Sequence, residues 1–152
     1  MRAVIQRVTQ AEVAVDGKIV GSCKNGFLVL LGVAVGDTEQ DAEILSKKIV
    51  NLRVFQDEAG KMNRSILDID GEMLVISQFT LMANCRHGNR PDFMASAKPD
   101  VAIPLYEYFK KLVSEQVRRV ECGVFGADMK VNLLNDGPVT IVLDTDTLKK
   151  EK

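Results

Sequence analysis

The stretch FLVLLGVAV, residues 27–35, decides how the chain is expected to fold. It is almost continuously apolar, which is typical of a strand that is covered on both faces. It is far shorter than the roughly 20 residues that a helix needs to cross a membrane. We therefore predict that residues 27–35 form the central strand of a sheet, in a protein that has no membrane partner.

The residues around this stretch predict the rest of the sheet. Residues 2–15 are rich in β-branched side chains, and Asp16-Gly17 marks a turn before a second strand at residues 18–23. Asn25-Gly26 marks another turn, immediately before the apolar stretch. Later strands are expected from their apolar patterns at residues 53–56, 74–82, 128–134 and 139–143.

Two helices are expected between these strands. Thr38 and Asp41 have the spacing of a capping box, with Asp in the place of Glu, and Asp100 is the expected cap of the second helix, with Pro104 in its first turn. Apolar side chains follow each cap at helical spacing: Ala42, Leu45, Ile49 and Leu52, then Tyr106, Phe109, Val113, Val117 and Val120. Two helices are too few to cover both faces of a large parallel sheet. We therefore predict an α+β fold, in which mainly antiparallel sheets form an open barrel-like core with two principal helices packed on them.

Composition narrows the class of protein. The 152 residues are 46% hydrophobic and 27% charged, which excludes a disordered or collagen-like chain. We expect one domain at residues 1–145 and a charged, frayed tail at residues 146–152. With 20 basic and 21 acidic residues the net charge is -1, so a nucleic-acid ligand needs a local basic patch or a specific pocket. The first residues show no apolar segment typical of a secretion signal.

Cysteine and histidine limit the expected chemistry. Cys23, Cys85 and Cys122 are widely spaced and form no CxxC motif, so we expect reduced thiols in a reducing cytosol. A Ser-His-Asp triad would have to use His87, the one histidine of the chain, and a zinc site of several histidines is excluded. We expect no metal and no cofactor.

Two polar segments are candidates for a functional site. Ser77-Gln78-Phe79-Thr80 ends an apolar strand, so it either faces solvent or forms a polar pocket. The segment NDGPVT, residues 135–140, is either an ordinary hairpin loop or a functional one, because Pro directly after Asp-Gly lacks the N–H that would continue the ladder. The pattern alone does not establish whether the Gly137–Pro138 bond is cis.

Arginines supply two further candidates. Arg86 and Arg90 belong to the loop RHGNRP, residues 86–91, which suits contacts with phosphates or is simply solvated. Arg7 alternates with Ile5 and Thr9, so it is expected to point inward, where its guanidinium needs an acceptor.

Four segments together resemble the D-aminoacyl-tRNA deacylase (D-tyrosyl-tRNA deacylase) family: MRAVIQRV at residues 1–8, SQFTL at 77–81, GNRPDF at 88–93 and NDGPVT at 135–140. The resemblance extends from Met1 to about Asp144. It implies a cytoplasmic homodimer that hydrolyses the ester joining a D-amino acid to the 3′ end of tRNA. It also implies removal of glycine from tRNA specific for alanine.

The resemblance further implies that each active site lies at the dimer interface. One side of the pocket is expected to consist of Ser77, Gln78, Phe79 and Thr80. Gly137 and Pro138 are expected to reach in from the other subunit through a cis bond, in a loop that Arg7 fixes. The resemblance gives no role to residues 85–87, so the expectation that Arg86 and Arg90 bind tRNA depends on the charge of their loop.

The implied chemistry needs no side-chain nucleophile. An aminoacyl ester is already activated, and the neighbouring 2′-hydroxyl of the ribose can position or activate water. The backbone N–H groups of Phe79 and Thr80 are expected to stabilise the developing oxyanion. An L side chain would clash with the Gly137–Pro138 backbone, whereas a D side chain would point toward solvent and glycine has none to exclude.

Two other functions stay open from the residues alone. One is an esterase acting on small esters or peptides, with Thr80 or Ser77 as its nucleophile. The other is a non-catalytic nucleic-acid-binding module, against which the near-neutral charge argues because phosphate contacts need clustered Lys and Arg.

Overall fold

The computed structural model describes residues 1–149. Its strands are β1 (Arg2–Val15), β2 (Lys18–Cys23), β3 (Gly26–Gly32), β4 (Phe55–Gln56), β5 (Met62–Arg64), β6 (Glu72–Ser77), β7 (Arg119–Cys122) and β8 (Lys130–Asp144). Its helices are α1 (Glu39–Asn51), α2 (Pro99–Ser114) and α3 (Thr145–Leu148), and a 3₁₀ turn covers Phe79–Met82. None of the helices in these residues has the length and apolar character that crossing a membrane requires.

The long strand β1 organises the sheet because it pairs along both of its edges. One edge pairs antiparallel with β3 over residues 2–8 and with β2 over residues 11–15, and the other edge pairs antiparallel with β8. Parallel pairs with β6 and then β7 continue the sheet beyond β3. The sheet curls until Ser22 of β2 donates its backbone N–H to the Glu121 carboxylate of β7 at 2.8 Å. The predicted α+β class and barrel-like core are confirmed, in a sheet that mixes antiparallel and parallel pairs.

The apolar stretch that decided the prediction lies in the centre of this sheet. β3 runs between β1 and β6, and all but one of its residues are buried. The strand ends at Gly32 rather than at Val35, because the chain leaves the sheet there and Val35 donates its N–H to the Ala95 carbonyl at 2.9 Å. The position of the predicted strand is therefore confirmed, whereas its predicted end is wrong.

The two main helices pack against each other and against the sheet. α1 begins with the predicted capping box, in which Thr38 donates its backbone N–H to the Asp41 carboxylate at 2.8 Å. α2 is capped by Lys98 instead of Asp100, because proline suits the first helical position and Pro99 occupies it. The shared core contains Phe27, Leu45, Ile49, Met73, Tyr106 and Phe109.

The rest of α2 also differs from the prediction. The helix ends at Ser114, so Val117 lies in the turn that follows and Val120 lies in β7. Both side chains still pack against the core, and their spacing therefore resembled a longer helical stripe. Because α2 begins at Pro99, Pro104 lies in its second turn rather than its first.

Several predicted strand boundaries are wrong, two of them in the candidate site segments. The strand predicted at residues 74–82 is β6, which ends at Ser77 and is followed by the 3₁₀ turn. The strands predicted at residues 128–134 and 139–143 are one strand, β8, which stays paired with β1 on both sides of an interruption. The strand predicted at residues 53–56 is limited to β4, which pairs with the unpredicted β5.

The last described residues contact helix α1. The buried Thr145 hydroxyl donates to the Asp41 carboxylate of α1 at 2.7 Å, and Lys149 pairs with the same carboxylate at 2.7 Å. The tail expected at residues 146–152 thus begins within α3. Residues 150–152 lie outside the described residues.

Candidate active site

The first candidate segment lies where the buried strand β6 ends. Gln78 donates its backbone N–H to the Leu31 carbonyl at 2.8 Å, which extends the pairing with β3. The chain then turns, since Leu81 and Ala83 donate their N–H groups to the carbonyls of Gln78 and Thr80 at 3.2 and 3.1 Å. The Gln78 amide donates to the Thr80 hydroxyl within this turn. The extended geometry expected for these residues is therefore wrong, because a turn brings the two polar side chains together.

This turn leaves two backbone donors free. Phe79 and Thr80 open the 3₁₀ turn, and the first N–H groups of a helical segment have no partner within it. Among the described residues, neither N–H group donates a hydrogen bond, and both residues are exposed. Two adjacent free N–H groups are an arrangement that can stabilise a developing oxyanion.

A cavity of about 630 Å³ opens beside the turn. It lies between the ends of β3 and β6, the start of α2 and the segment that follows β7. Ser77, Gln78 and Phe79 line the cavity, whereas Thr80 does not. Its volume falls in the range of roughly 300–1,000 Å³ that is usual for small-molecule pockets. The structure therefore brings three of the four residues predicted for this segment to one concave site.

The sequence did not mark the other residues of the cavity as parts of a functional site. They come from the start and middle of α2 and from the segment after β7: Lys98, Tyr106, Phe125, Asp128 and Met129. The Tyr106 hydroxyl donates to the Val75 carbonyl at 3.2 Å, and its ring lies 5.8 Å from that of Phe125. Burial raises the pKa of Tyr106, so this hydroxyl stays protonated and neutral near pH 7.

The second candidate segment interrupts β8. Pairing with β1 skips from Asn135 to Thr140, so residues 136–139, here called the β8 bulge, lie opposite Arg7 alone. The Gly137–Pro138 bond in this bulge is cis, and both of its residues are exposed. An ordinary hairpin loop is thus the wrong interpretation, because the strand continues along β1 beyond the bulge.

Arg7 braces the β8 bulge. Its side chain points inward, as predicted, and is 8% exposed. Nε donates to the Asp136 carbonyl at 3.0 Å, and Nη1 donates to the Val54 carbonyl at 2.7 Å. At the other end of the bulge, the Asn135 amide oxygen accepts the Val139 N–H at 3.1 Å. Hydrogen bonds at both ends therefore fix the shape of the bulge.

The β8 bulge and the cavity do not meet within one copy of the chain. Gly137 and Pro138 are not among the residues that line the cavity. β8 and β6 are separated by three strand spacings in the order β8-β1-β3-β6, or about 14 Å at about 4.8 Å per spacing. Along the strands, the bulge lies opposite Arg7 of β1. Ser77 of β6 lies opposite Leu31 of β3, which in turn lies opposite Ala3 of β1. The residues predicted to form the pocket and those predicted to exclude L side chains therefore form two separate groups.

The third candidate segment is a closed loop beside the cavity. Asn84 and Asp92 exchange two backbone hydrogen bonds of 2.8 and 2.9 Å, and residues 84–92 between them are here called the basic loop. Arg86 and Arg90 are exposed on this loop. The loop leads directly into Phe93, which lines the cavity.

The titratable groups of the described chain do not form a nucleophile–base pair at the cavity. In residues 1–149, no hydrogen bond joins His87 to Ser77 or Thr80, and no group of three His, Cys, Asp or Glu side chains is arranged like metal ligands. Cys85 is exposed on the basic loop, and burial raises the pKa of Cys23 to about 12. The site therefore offers groups that position and polarise a ligand: backbone N–H groups, an amide and hydroxyls.

Comparison with known proteins identifies the family. Residues 4–144 match the family described as D-Tyr-tRNA(Tyr) deacylase. A D-aminoacyl-tRNA deacylase of Thermus aquaticus is 58% identical over 95% of this chain and 95% of that protein. A D-aminoacyl-tRNA deacylase of Geotalea uraniireducens is 56% identical over 99% of this chain and 97% of that protein.

Solved structures share the fold. The structure titled "c-Myc DNA Unwinding Element Binding Protein" has a TM-score of 0.90 and 42% identity, and the match covers 95% of this chain and 98% of that one. A structure titled as a probable eukaryotic D-amino acid tRNA deacylase has a TM-score of 0.80 over 93% of this chain and 97% of that one, and its 17% identity indicates similarity of fold alone. The resemblance seen in the sequence motifs is confirmed: the chain belongs to the D-Tyr-tRNA(Tyr) deacylase family.

Proposed function

We propose that the chain removes D-amino acids, and glycine mischarged onto alanine-specific tRNA, as a cytoplasmic homodimer whose two active sites each combine residues of both subunits. Family membership supports the reaction class, which is hydrolysis of the ester between an amino acid and the 3′ end of tRNA. The cavity supports a site for the aminoacylated terminal nucleoside, because its volume suits a ligand of that size.

Ester hydrolysis at this site uses water and the substrate's own sugar. The 2′-hydroxyl of the terminal ribose positions a water molecule, whose oxygen forms a bond to the ester carbonyl carbon. The free N–H groups of Phe79 and Thr80 stabilise the negative charge that develops on the carbonyl oxygen. The bond to the ribose oxygen then breaks, that oxygen takes a proton, and the free amino acid leaves.

The β8 bulge of the partner subunit supplies selectivity. The observation that carries this proposal is the separation of the two groups of site residues: the bulge is exposed and held by Arg7, yet it does not line the cavity beside the strand-end turn of its own protomer. Inserted into the cavity of a second copy, its stiff backbone excludes an L side chain and leaves room for a D side chain or for glycine.

The basic loop supports tRNA binding beside the cavity. Arg86 and Arg90 are exposed on a loop that leads into a cavity residue, so they suit contacts with the phosphates of the acceptor end. A chain with a net charge of -1 needs such a local patch to bind nucleic acid.

The test compares D-Tyr-tRNA with L-Tyr-tRNA as substrates for the wild-type protein. The proposal predicts that D-Tyr-tRNA is hydrolysed while L-Tyr-tRNA is left intact over the same time. It also predicts that tRNA ending in 2′-deoxyadenosine, aminoacylated at the 3′ position, is hydrolysed much more slowly. Equal rates for the two amino acids would contradict the proposed selectivity, and equal rates with and without the 2′-hydroxyl would favour an esterase with a side-chain nucleophile.

A further inference from the structure

The mouth of the cavity carries a cation for which the proposed reaction has no use. Among the described residues that line the cavity, Lys98 is the one cationic side chain, and it is exposed. Three lysines of the described chain pair with carboxylates: Lys110 with Glu107 and Lys130 with Asp128, both at 3.0 Å, and Lys149 with Asp41 at 2.7 Å. Within residues 1–149, no carboxylate lies within 4.0 Å of the Lys98 ammonium group. Its charge is therefore available to a ligand.

The position of Lys98 is not explained by folding. It occupies the cap of α2 without a side-chain hydrogen bond to the helix. Ser, Thr, Asp and Asn are the residues that favour this position, and the positive end of the helix disfavours a lysine. A residue that breaks a local rule without a compensating contact is expected to have a functional reason.

Exposed aromatic rings lie at the same cavity. Phe79 and Phe93 both line it, and their rings meet edge to face with centroids 5.1 Å apart. Phe79 is 56% exposed and Phe93 is 36% exposed. Exposed aromatic rings and a cation that line one cavity suit single-stranded nucleic acid, because every base can stack on a ring face and its phosphate can pair with the cation.

We infer that this rim, formed by Phe93 and Lys98, binds the nucleotide that precedes the terminal adenosine of tRNA. The phosphate that joins the two nucleotides pairs with Lys98, and the base of the preceding nucleotide stacks on Phe93. The inference rests on the proposed function, which places the aminoacylated adenosine in the cavity. A cavity of about 630 Å³ is in the usual range for one small ligand, so the inference places the next phosphate at the opening, where Lys98 is exposed.

The experiment measures kcat/KM for three substrates of increasing length: D-tyrosyl-adenosine, the D-tyrosylated dinucleotide CpA, and D-Tyr-tRNA. For wild-type protein, kcat/KM should be higher for D-tyrosylated CpA than for D-tyrosyl-adenosine. Lys98→Ala should lower kcat/KM for the second and third substrates about tenfold more than for D-tyrosyl-adenosine, the effect of one hydrogen bond to a charged group. Phe93→Ala should cost about fivefold or more on the same two substrates, as expected for one stacked base.

Two controls separate this role from a structural one. Lys111→Ala removes another exposed lysine of α2, one that does not line the cavity, and should leave all three substrates unchanged. Lys98→Ser places a favourable cap at the start of α2, so this variant should melt at or above the wild-type temperature. It should nevertheless lose the increase in kcat/KM from D-tyrosyl-adenosine to D-tyrosylated CpA. Lys98→Arg should retain that increase.

Several results would overturn the inference, and one of them would also overturn the proposed function. An equal loss on D-tyrosyl-adenosine and on CpA would show that Lys98 acts inside the cavity and would overturn the inference, as would an unchanged increase in Lys98→Ala. Conversion of the Lys98 or Phe93 variant to monomers in sedimentation velocity would overturn it too, because the rim would then be a contact between subunits. Failure of wild-type protein on all three substrates would overturn the proposed function itself, and the inference with it.

Discussion

The strand-end turn at residues 77–82 and the β8 bulge at residues 136–139 both interrupt a strand, but they do so in opposite surroundings. The turn follows a buried central strand and borders a cavity, where it leaves two backbone N–H groups without partners. The bulge projects from an exposed strand and is held by hydrogen bonds at both ends. Under the proposed function, the turn belongs to the concave half of a site, which accepts the ligand, and the bulge is the convex half, which enters the cavity of a partner. The comparison shows that these two regions do not meet within one copy of the chain.

The largest effect is expected from a side chain added at the tip of the β8 bulge. Gly137 has φ +132, and a Cβ placed on it would lie 2.9 Å from the Val139 side chain and 3.1 Å from Arg7. Gly137→Ala should therefore displace the bulge, and a misplacement of about 1 Å can cost about a hundredfold in rate. The rate of D-Tyr-tRNA hydrolysis should fall by about a hundredfold, and the preference for D-Tyr-tRNA over L-Tyr-tRNA should fall with it.

The control for this change is Gly60→Ala, since Gly60 also has a positive φ, of 79, but lies in an exposed turn with nothing within 4 Å of an added Cβ. That variant should keep the wild-type preference for D-Tyr-tRNA. An unchanged preference in Gly137→Ala would show that the bulge does not select the substrate.

A smaller effect is expected when Arg7, which holds the bulge, is replaced by lysine. Arg7→Lys keeps the charge but cannot reach the Asp136 and Val54 carbonyls together, because lysine lacks the planar fork of arginine. One buried carbonyl left without a donor should lower the free energy of unfolding by about 1–3 kcal/mol. Urea denaturation should show this loss, and the D-over-L ratio should fall by about tenfold as the bulge loosens.

Arg53→Lys is the matched control, because Arg53 bonds the Asn63 carbonyl and amide at an exposed position. Its free energy of unfolding should change by less than about 0.5 kcal/mol. If Arg7→Lys behaved like this control, the bulge would not depend on its brace.

On the concave half, Thr80→Ala should have a modest effect. It removes a hydroxyl that accepts from Gln78, but keeps the backbone N–H that the proposed mechanism uses. Loss of one neutral hydrogen bond corresponds to about tenfold or less. Single-turnover hydrolysis of D-Tyr-tRNA should therefore persist, whereas capture of an acyl group on Thr80 by mass spectrometry would identify Thr80 as a nucleophile.

The smallest effect on activity is expected from Asp41→Asn, far from both halves. Burial by itself raises the pKa of Asp41, but hydrogen bonds from Lys149, Thr38 and Thr145 outweigh it and hold that pKa at about 2, below the ordinary 3.8. The charged carboxylate thus stabilises the fold above about pH 4, and this contribution is lost as the pH falls toward 2. Asp41→Asn should lower the free energy of unfolding by about 2 kcal/mol at pH 7 and leave the D-over-L ratio unchanged.

Urea denaturation at a series of pH values checks this prediction. The stability difference between wild type and Asp41→Asn should shrink as the pH falls from 4 to 2. A constant difference would show that the carboxylate is not stabilised by its charge, and an altered D-over-L ratio would show that the α1–α3 contact is coupled to the site.

Local signals were sufficient to predict some parts of the structure. The capping box of α1 depends on two residues three positions apart, Thr38 and Asp41, so the sequence alone shows it. The central position of β3 follows from its unbroken apolar run. The inward direction of Arg7 follows from its alternation with Ile5, which is buried.

Distant contacts decided the parts that were predicted incorrectly. The apolar pattern runs on through Leu81 and Met82, but β6 ends because the chain turns after Gln78, whose carbonyl accepts the Leu81 N–H, and this turn buries Met82. Asp136-Gly137 is the same local signal in a hairpin and in a bulge, and only the pairing with β1 on both sides distinguishes them. The cavity likewise depends on side chains of α2 and of the segment after β7, whose approach no local pattern encodes.

Complementation between two inactive variants tests the central claim most directly. Gly137→Ala disables the convex half, and Phe79→Pro disables the concave half, because it removes one N–H group at a position where the start of a helical turn tolerates proline. Unfolding and refolding the two variants together, then measuring D-Tyr-tRNA hydrolysis, should restore roughly a quarter of wild-type activity, because half of the dimers are mixed and each mixed dimer has one intact site. A mixture no more active than the separate variants would contradict a site shared between two copies of the chain.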